Sequence, residues 1–439
     1  MENSLASLAV REGKRRGADD VAATSVKEDA KMIRFANNEV TVSQSWRSTT
    51  IYVMVSIRKK VAIGVIEDLS EGSMKQSISE LIRTAKTTRP NRSYARLPVG
   101  PFRYRSSHAD LSVQSSNLVK YVKDAISSAV SSGADRVAGS LAFRSSSTGI
   151  ETSAGASGND SLSSLEISVR AFSGIEASGQ SNSCARSEKD FHPEQAGKAA
   201  AEIAKKAVNP LEGKPGEYDV ILGPNVVANL MNDVISAASA FNVDAGLSFM
   251  AGMLTKRVAS KSLTLVDDGT LSDGLNSRAF DDEGLPTQKT IVIKNGVLQS
   301  FLHNSSTAKK FGRRSTANAG WIVPQPWNII VERGGTSEEG LFSDLGNGIF
   351  ITNNWYTRFQ NYRTGDFSTV CRDGIFRVAD GEIVQSLKGL RISENLPRLL
   401  RNISCLSDKQ YWVKWWEVEF PTLTPYVLVK DVNLTKSLE

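Results

Sequence analysis

Residues Lys261–Ala319 read KSLTLVDDGTLSDGLNSRAFDDEGLPTQKTIVIKNGVLQSFLHNSSTAKKFGRRSTANA. The middle of this stretch is a strand, a two-residue turn at Asn295-Gly296 and a second strand. Asn-Gly tolerates positive φ at both central positions, so it fits the tight hairpin turn whose twist suits paired strands. Two acidic turns precede the hairpin, Asp267-Asp268-Gly269 and Asp281-Asp282-Glu283-Gly284. Glycine directly after carboxylates favours turn and capping roles over a cation site or an acid–base pair, although the residue types permit either.

Downstream, the pattern stays mostly β. Asp380-Gly381 punctuates a second hairpin, with Ile375–Val378 against Ile383–Leu387. Leu396–Leu400 reads as a short helix and Tyr426–Val432 as a last strand. Upstream, Val226–Ala240 has helical spacing behind a Gly223-Pro224-Asn225 turn and cap, and Tyr218–Leu222 is a short apolar strand. Pro210–Gly216 (PLEGKPG) holds two prolines and two glycines and reads as a linker.

The N-terminal part mixes strands and helices. Leu5, Leu8 and Val10 suggest a short amphipathic helix. Met32–Thr41 reads as two short strands around Asn37-Asn38. Thr50–Ile57 alternates, pauses at Arg58-Lys59-Lys60 and resumes over Val61–Val65, which predicts an antiparallel meander. Helices are expected over Met74–Thr87, Asn117–Val130 and Pro193–Val208. The Ser-, Gly- and Ala-rich stretch Ser140–Ser187 still alternates at Leu165, Ile167 and Val169, so strands are expected there as well. The fold class is therefore α+β with two domains: helices on a sheet over residues 1–212, and a mainly antiparallel, barrel-like β domain over 213–439.

With 40% hydrophobic and 23% charged residues, the composition is that of a globular chain. No apolar run reaches the roughly 18 residues of a membrane helix, and the first twenty residues lack a secretory pattern. Cys184, Cys371 and Cys405 are far apart and form no CxxC pair, which fits a reducing cytoplasm. The net charge of +6 permits acidic partners. The basic groups at Arg15-Arg16, Arg58-Lys59-Lys60, Lys309-Lys310 and Arg313-Arg314 are short and scattered, however, which disfavours a nucleic-acid groove.

Zinc catalysis needs three protein ligands and an open position for water. The chain has three histidines, His108, His192 and His303, none within two turns of another, and no HExxH or HExxxH. His303, in SFLHNS, is either a substrate contact or a hydrogen-bonded histidine at a strand end. Cys371 would need a histidine base to act as a nucleophile and otherwise reads as a buried cysteine. The group Trp412, Trp415 and Trp416 is either a platform for a partner or a packed edge. Nothing matches GxSxG, a phosphate-binding loop or a dinucleotide-binding fingerprint.

The order VDDGT, DDEG-PTQ, hairpin, LH-S-TAKK-G and STANAG, followed by NNWYTRFQNYRTGDFS (Asn353–Ser368), the DGE turn and LKGLRIS, resembles the TldD/PmbA family. The weaker IRFANNEV and GEYDVILGP stand in the same order, so the resemblance runs over some 400 residues. It implies a two-domain α+β protein tied to peptide breakdown and maturation. In that family, TldD-like chains carry HExxxH on the helix after the GP turn. The two histidines and a later cysteine hold zinc, and the glutamate activates water. TldE (PmbA)-like chains lack these residues and pair with the first kind.

Counted back from VDDG, the equivalent helix here (VVANLMNDVISAASA) puts Met231 and Ser236 at the histidine positions and Asn232 at the glutamate. The YWVKWW segment carries no cysteine, and Cys405 precedes it. The resemblance therefore implies a TldE-like subunit, inactive alone, with no catalytic or metal-binding residue and no cofactor of its own. Zinc is expected in a TldD-like HExxxH partner. The heterodimer would enclose a chamber for unfolded peptides, and a homodimer would form in the partner's absence. His303, Asp282 and Trp415 are the candidate contacts with substrate or partner. Two rivals remain: an active peptidase with an atypical site drawn from His303, Cys371 and the acidic turns, and a DNA- or gyrase-associated binding protein, since the family has been linked to modulation of DNA gyrase.

Overall fold

A computed structural model describes residues 2–106, 109–110, 113 and 117–437. His108 lies outside them. The chain opens with α1 (Glu2–Arg15), which buries Ala6 and Ala9. Strand β1 (Asp20–Ala36) follows and turns at Asn37-Asn38, both at positive φ, into β2 (Glu39–Ile57). Arg58 and Lys59, at φ 50° and 64°, form the next two-residue turn, into β3 (Lys60–Ile66). The first two strands run far beyond the expected short pair. Their polar residues hide the alternation, and β2 is exposed from Glu39 to Ser48.

Helix α2 (Glu71–Thr87) starts at Ser70, whose side chain accepts from the Ser73 amide. It buries Met74, Ile78, Ile82 and Ala85. Asn117 caps α3 (Leu118–Ser131) in the same way, through the Lys120 amide. Strands β4 (Arg136–Thr152), β5 (Ser157–Ser173) and β6 (Ala177–Ala185) come next, then α4 (Pro193–Lys206). A Cβ on Gly197 would lie 2.1 Å from the Ala125 carbonyl oxygen, so the close crossing of α3 and α4 requires glycine there. Among the described residues, the strands form one antiparallel sheet in the order β3-β2-β1-β4-β5-β6.

Period-two alternation gives this sheet two chemistries. Ile33, Leu141, Phe143, Leu165, Ile167 and Val169 face the helices and form their core. The alternate positions, among them Ser146, Thr148, Ser164 and Glu166, line a cleft on the other face. The serine-rich stretch is thus two-faced β-structure, apolar towards the helices and polar towards the cleft.

The expected linker is not free. Leu211–Glu212 forms β7, which pairs with a later strand, and the Gly213 amide bonds the Lys388 carbonyl. Strand β8 (Gly216–Leu222) leads into α5 (Pro224–Ala237). Gly223, not Asn225, is the cap residue, with Pro224 in the first turn. Next come α6 (Ala240–Asp244), β9 (Leu265–Asp268), β10 (Lys289–Lys294), β11 (Val297–Leu298), α7 (Ser305–Phe311), β12 (Ile329–Val331) and α8 (Glu338–Leu345). The Asn295-Gly296 hairpin is present, with Asn295 at φ 47° and Gly296 at 78°, but its second strand is only two residues long.

The remainder is β13 (Gly348–Asn361), β14 (Asp366–Ala379), β15 (Glu382–Lys388), β16 (Leu390–Asn395), α9 (Leu396–Arg401), β17 (Ile403–Leu406), β18 (Tyr411–Trp415), β19 (Val418–Thr424) and β20 (Val427–Lys436). One sheet runs β13-β8-β20-β16-β14, and β13 also pairs with β14, so these strands close into a ring. A second sheet runs β11-β10-β9-β12-β19-β18. Among the described residues, these strands pair antiparallel except at β7–β15, β8–β13 and β12–β19. Helix α5 packs Val226, Val227, Leu230, Met231, Val234 and Ile235 into the core between these sheets. The architecture is α+β: helices on a sheet, then mainly antiparallel β-structure closing towards a barrel.

Candidate functional site

The acidic turns act as ties between segments. Asp267 is fully buried and accepts from the Trp327 amide at 2.6 Å and from Asn318 Nδ2 at 2.5 Å. Asp281 accepts from the Leu285 amide at 2.9 Å and from the Ala319 amide at 3.1 Å. Glu283 accepts from the Ser305 amide at 2.9 Å, at the start of α7. The pieces VDDGT, DDEG, HNSSTAKK and STANAG therefore meet because the carboxylates of the first two receive backbone N–H groups, and an Asn318 side chain, from the others. Burial is the main reason the carboxyl of Asp267 rises to about 7 and that of Asp281 well above its ordinary range. Asp282 lines the cleft, with Arg278 Nη1 3.4 Å away, and burial raises its carboxyl to about 6.

Helix α5 packs on β19, whose Phe420 lines that cleft. Its sequence is apolar on the side towards the barrel core and carries Asn229 and Asn232 on the side towards β13 and β19. Met231 is 2% exposed and borders a small apolar void with Leu222, Val227, Leu230, Leu263 and Val331. Asn232 is fully engaged: its Oδ1 accepts from the Phe420 amide at 2.7 Å, and its Nδ2 donates to Thr422 Oγ1 at 3.0 Å and to the Ala228 carbonyl at 2.9 Å. Ser236 is exposed and accepts from Asn242 Nδ2 at 3.2 Å. Asn229 accepts from Asn354 Nδ2 and Thr357 Oγ1 at 2.8 and 2.6 Å. Next to Asn232, burial and the nearby Glu417 raise the carboxyl of Asp233 to about 7. Among the described residues, no group of three or more His, Cys, Asp or Glu side chains is arranged to hold a metal ion. A thioether in the core, a carboxamide spent on β19 and a surface hydroxyl do not fit a zinc site.

A test follows from this geometry. Met231→His sets an imidazole among aliphatic side chains and is expected to cost about 2 kcal/mol or more, read as a lower urea midpoint. The triple variant Met231→His/Asn232→Glu/Ser236→His is expected to take up no stoichiometric zinc by metal analysis. Tight uptake of one zinc per chain would contradict this account of α5.

The cleft encloses about 550 Å³ between the polar face of the N-terminal sheet and the C-terminal sheets. Tyr52 stacks on Trp321 across it, with ring centroids 5.8 Å apart. Glu166 and Arg144 line it from the N-terminal sheet, and Lys414 lines it from β18. Burial raises the Glu166 carboxyl and lowers the Lys414 ammonium, each offset in part by the other's charge. Lys414 Nζ donates to the carbonyls of Val418 and Glu419 at 3.0 and 2.8 Å. Sequence reasoning missed this group. Its only local trace is the placing of Glu166 among the alternate residues of LEISVR, because β5 and β18 meet only through the tertiary fold.

The remaining candidates scatter. Trp415 is 4% exposed and packs with Ala228, Val413 and Val418, whereas Trp416 is 62% exposed. Both belong to an aromatic cluster with Trp355 and Tyr356. His303 is 2% exposed, its Nδ1 is 3.3 Å from Thr307 Oγ1, and burial lowers its pKa to about 4. His192 is exposed. Cys184 and Cys371 are buried, and burial raises the Cys371 thiol to about 12, so it supplies no thiolate near neutral pH. Cys405 Sγ lies 3.0 Å from Thr336 Oγ1. Much of the basic surface is spent internally: Arg15 and Arg16 share Glu12, Lys309 donates to the Tyr94 carbonyl, and Lys310 pairs with Asp244. No helix among the described residues is long and apolar enough to cross a membrane.

Residues 215–436 match the family described as the PmbA/TldA metallopeptidase C-terminal domain. A Methanothermobacter thermautotrophicus protein named metalloprotease is 30% identical over 208 residues, 45% of each chain. The chain spans about half the length of the curated relatives it matches. Among solved structures, TldE from Thermococcus kodakarensis superposes with a TM-score of 0.86 at 20% identity, covering 98% of this chain and 100% of that one. A Thermotoga maritima structure described as a proposed modulator of a DNA gyrase gives 0.85 at 24% identity, over 98% of this chain and 99% of the other. These two likenesses show the fold.

Proposed function

Because the chain belongs to the PmbA/TldD metallopeptidase family, we propose that it is a non-catalytic, TldE-like subunit of a TldD-type zinc metallopeptidase. The observation that carries this reading is α5. Where the resemblance calls for two histidines and a glutamate, the helix has Met231 in the core, Ser236 on the surface and Asn232 bonded to β19. A carboxamide cannot serve as a general base, and neither a buried thioether nor an isolated hydroxyl holds a Lewis-acidic ion.

The partner would be a TldD-like chain that brings the zinc and the HExxxH helix. This chain would contribute wall and shape to a closed chamber. Enclosure selects by access: an unfolded peptide threads in and a folded protein does not. The division into units over 1–212 and 213–439 is part of the same proposal, as is a cytoplasmic location. Surface available for pairing includes the exposed half of β2, with Val40, Val42 and Trp46, and the exposed Trp416.

Co-expression with an HExxxH-bearing paralogue tests the reading. The two chains are expected to co-purify, with peptide hydrolysis that needs both and is lost with a chelator, while this chain alone cleaves nothing. A partner that forms no complex and cleaves equally well alone would overturn it.

A further inference from the structure

His303 and the KKFGRR run (Lys309–Arg314) have no role in the reading above, yet the fold brings them to one place. Leu254, Gln299, Phe301, His303, Phe311, Arg313 and Arg314 line a cavity of about 210 Å³ beside α7. Its floor is apolar and aromatic: the His303 ring stands 5.6 Å from Phe311 and 6.4 Å from Phe301, and the two phenylalanines are 6.3 Å apart. Its rim is cationic, and no carboxylate is among the described residues that line it.

The four cations of the run divide into two pairs. Lys309 and Lys310 are taken by the Tyr94 carbonyl and by Asp244. Arg313 and Arg314 make no side-chain hydrogen bond or ion pair among the described residues, and both are exposed. Gly312, in the left-handed region at φ 64°, ends α7, and the Arg313 amide bonds back to the Ala308 carbonyl at 2.8 Å. The chain is therefore turned, and the end of the helix satisfied, before either guanidinium is reached. Two guanidinium groups, unpaired among the described residues, beside an apolar cup with no acid among its described lining residues make a receptor for an oxyanion on an apolar body.

We propose that this pocket binds a small organic carboxylate with an apolar side group, held by Arg313 and Arg314 and packed against Phe301, Phe311 and Leu254. The carboxy-terminal residue of a peptide has this form. The cavity is below the size that engulfs a drug-sized ligand, so one residue rather than a longer segment is the fitting guest. Because every residue belongs to this chain, the inference does not depend on the pairing proposed above, and a negative result would leave that pairing untouched.

The test is titration of the isolated chain at low ionic strength with N-acetylphenylalanine, its amide and inorganic phosphate, followed by calorimetry and by the ring resonance of His303, identified by its loss in His303→Gln. The acid is expected to bind and to move that resonance, with the amide and phosphate each at least ten-fold weaker. Arg313→Ala and Arg314→Ala are each expected to weaken the acid about ten-fold while leaving thermal unfolding unchanged. The proposal fails if the acid does not bind, if the amide or phosphate binds as tightly, or if the double arginine variant binds undiminished.

Discussion

Trp327→Ala is expected to lower stability by about 3–5 kcal/mol, read as a fall in the chemical unfolding midpoint at unchanged slope. Trp327 heads the group of largest fully buried side chains. Its amide donates to Asp267, its Nε1 donates to the Ala317 carbonyl at 2.9 Å, and the Arg278 guanidinium stacks 4.8 Å from its ring. Removing the ring empties the space around which β9, the acidic turns and the STANAG segment are tied, and it strands a buried carbonyl. Trp327→Phe keeps most of the bulk and loses the Nε1 bond, so about 1–2 kcal/mol is expected. If the alanine variant lost less than about 1 kcal/mol, these motifs would not be held together in the way described.

The second large effect is expected at the junction between the N-terminal sheet and the barrel. Asp373, on β14, has a fully buried side chain. It accepts from Arg170 Nε and Ser178 Oγ, both at 2.8 Å, and from Asn353 Nδ2 at 2.9 Å. Arg170 and Ser178 come from β5 and β6, and Asn353 from β13, so one carboxylate joins three strands of two sheets. Asp373→Ala removes the partner of a mostly buried guanidinium and leaves two polar groups with unmet bonds. It is expected to cost about 3 kcal/mol or more, within the range for breaking one side of a buried pair. Asp373 sits at φ 64°, a conformation asparagine accepts more readily than alanine. Asp373→Asn should therefore lose less. A double-mutant cycle with Arg170→Ala should show strong coupling between the two positions. Additive losses would mean that the junction does not depend on this contact.

The turns at Asn37-Asn38, Asn295-Gly296 and Asp380-Gly381 were readable because positive φ selects those residue types within a span of two. Helices α2 and α3 were readable because one apolar stripe repeats over four turns. The ends of β1 and β2 were not, since β2 from Glu39 to Ser48 is exposed on both faces and sets Val40, Val42 and Trp46 among polar residues without burying them. The part played by the acidic turns was legible only as glycine following carboxylate. Which amides they would receive depended on segments up to sixty residues away, as with Asp267 and Trp327.

Residue identity alone determined that α5 carries no histidine, because donor chemistry belongs to the side chain and survives any fold. Tertiary structure alone decided that Glu166 and Lys414 line the same cleft, that β13 closes the ring onto β14, and that Arg313 and Arg314, unpaired among the described residues, line the cup beside His303. The reason is range. Helical and strand periods, and turn preferences, are set within about ten residues. Contacts between distant strands depend on how whole faces pack, which no short window of sequence contains.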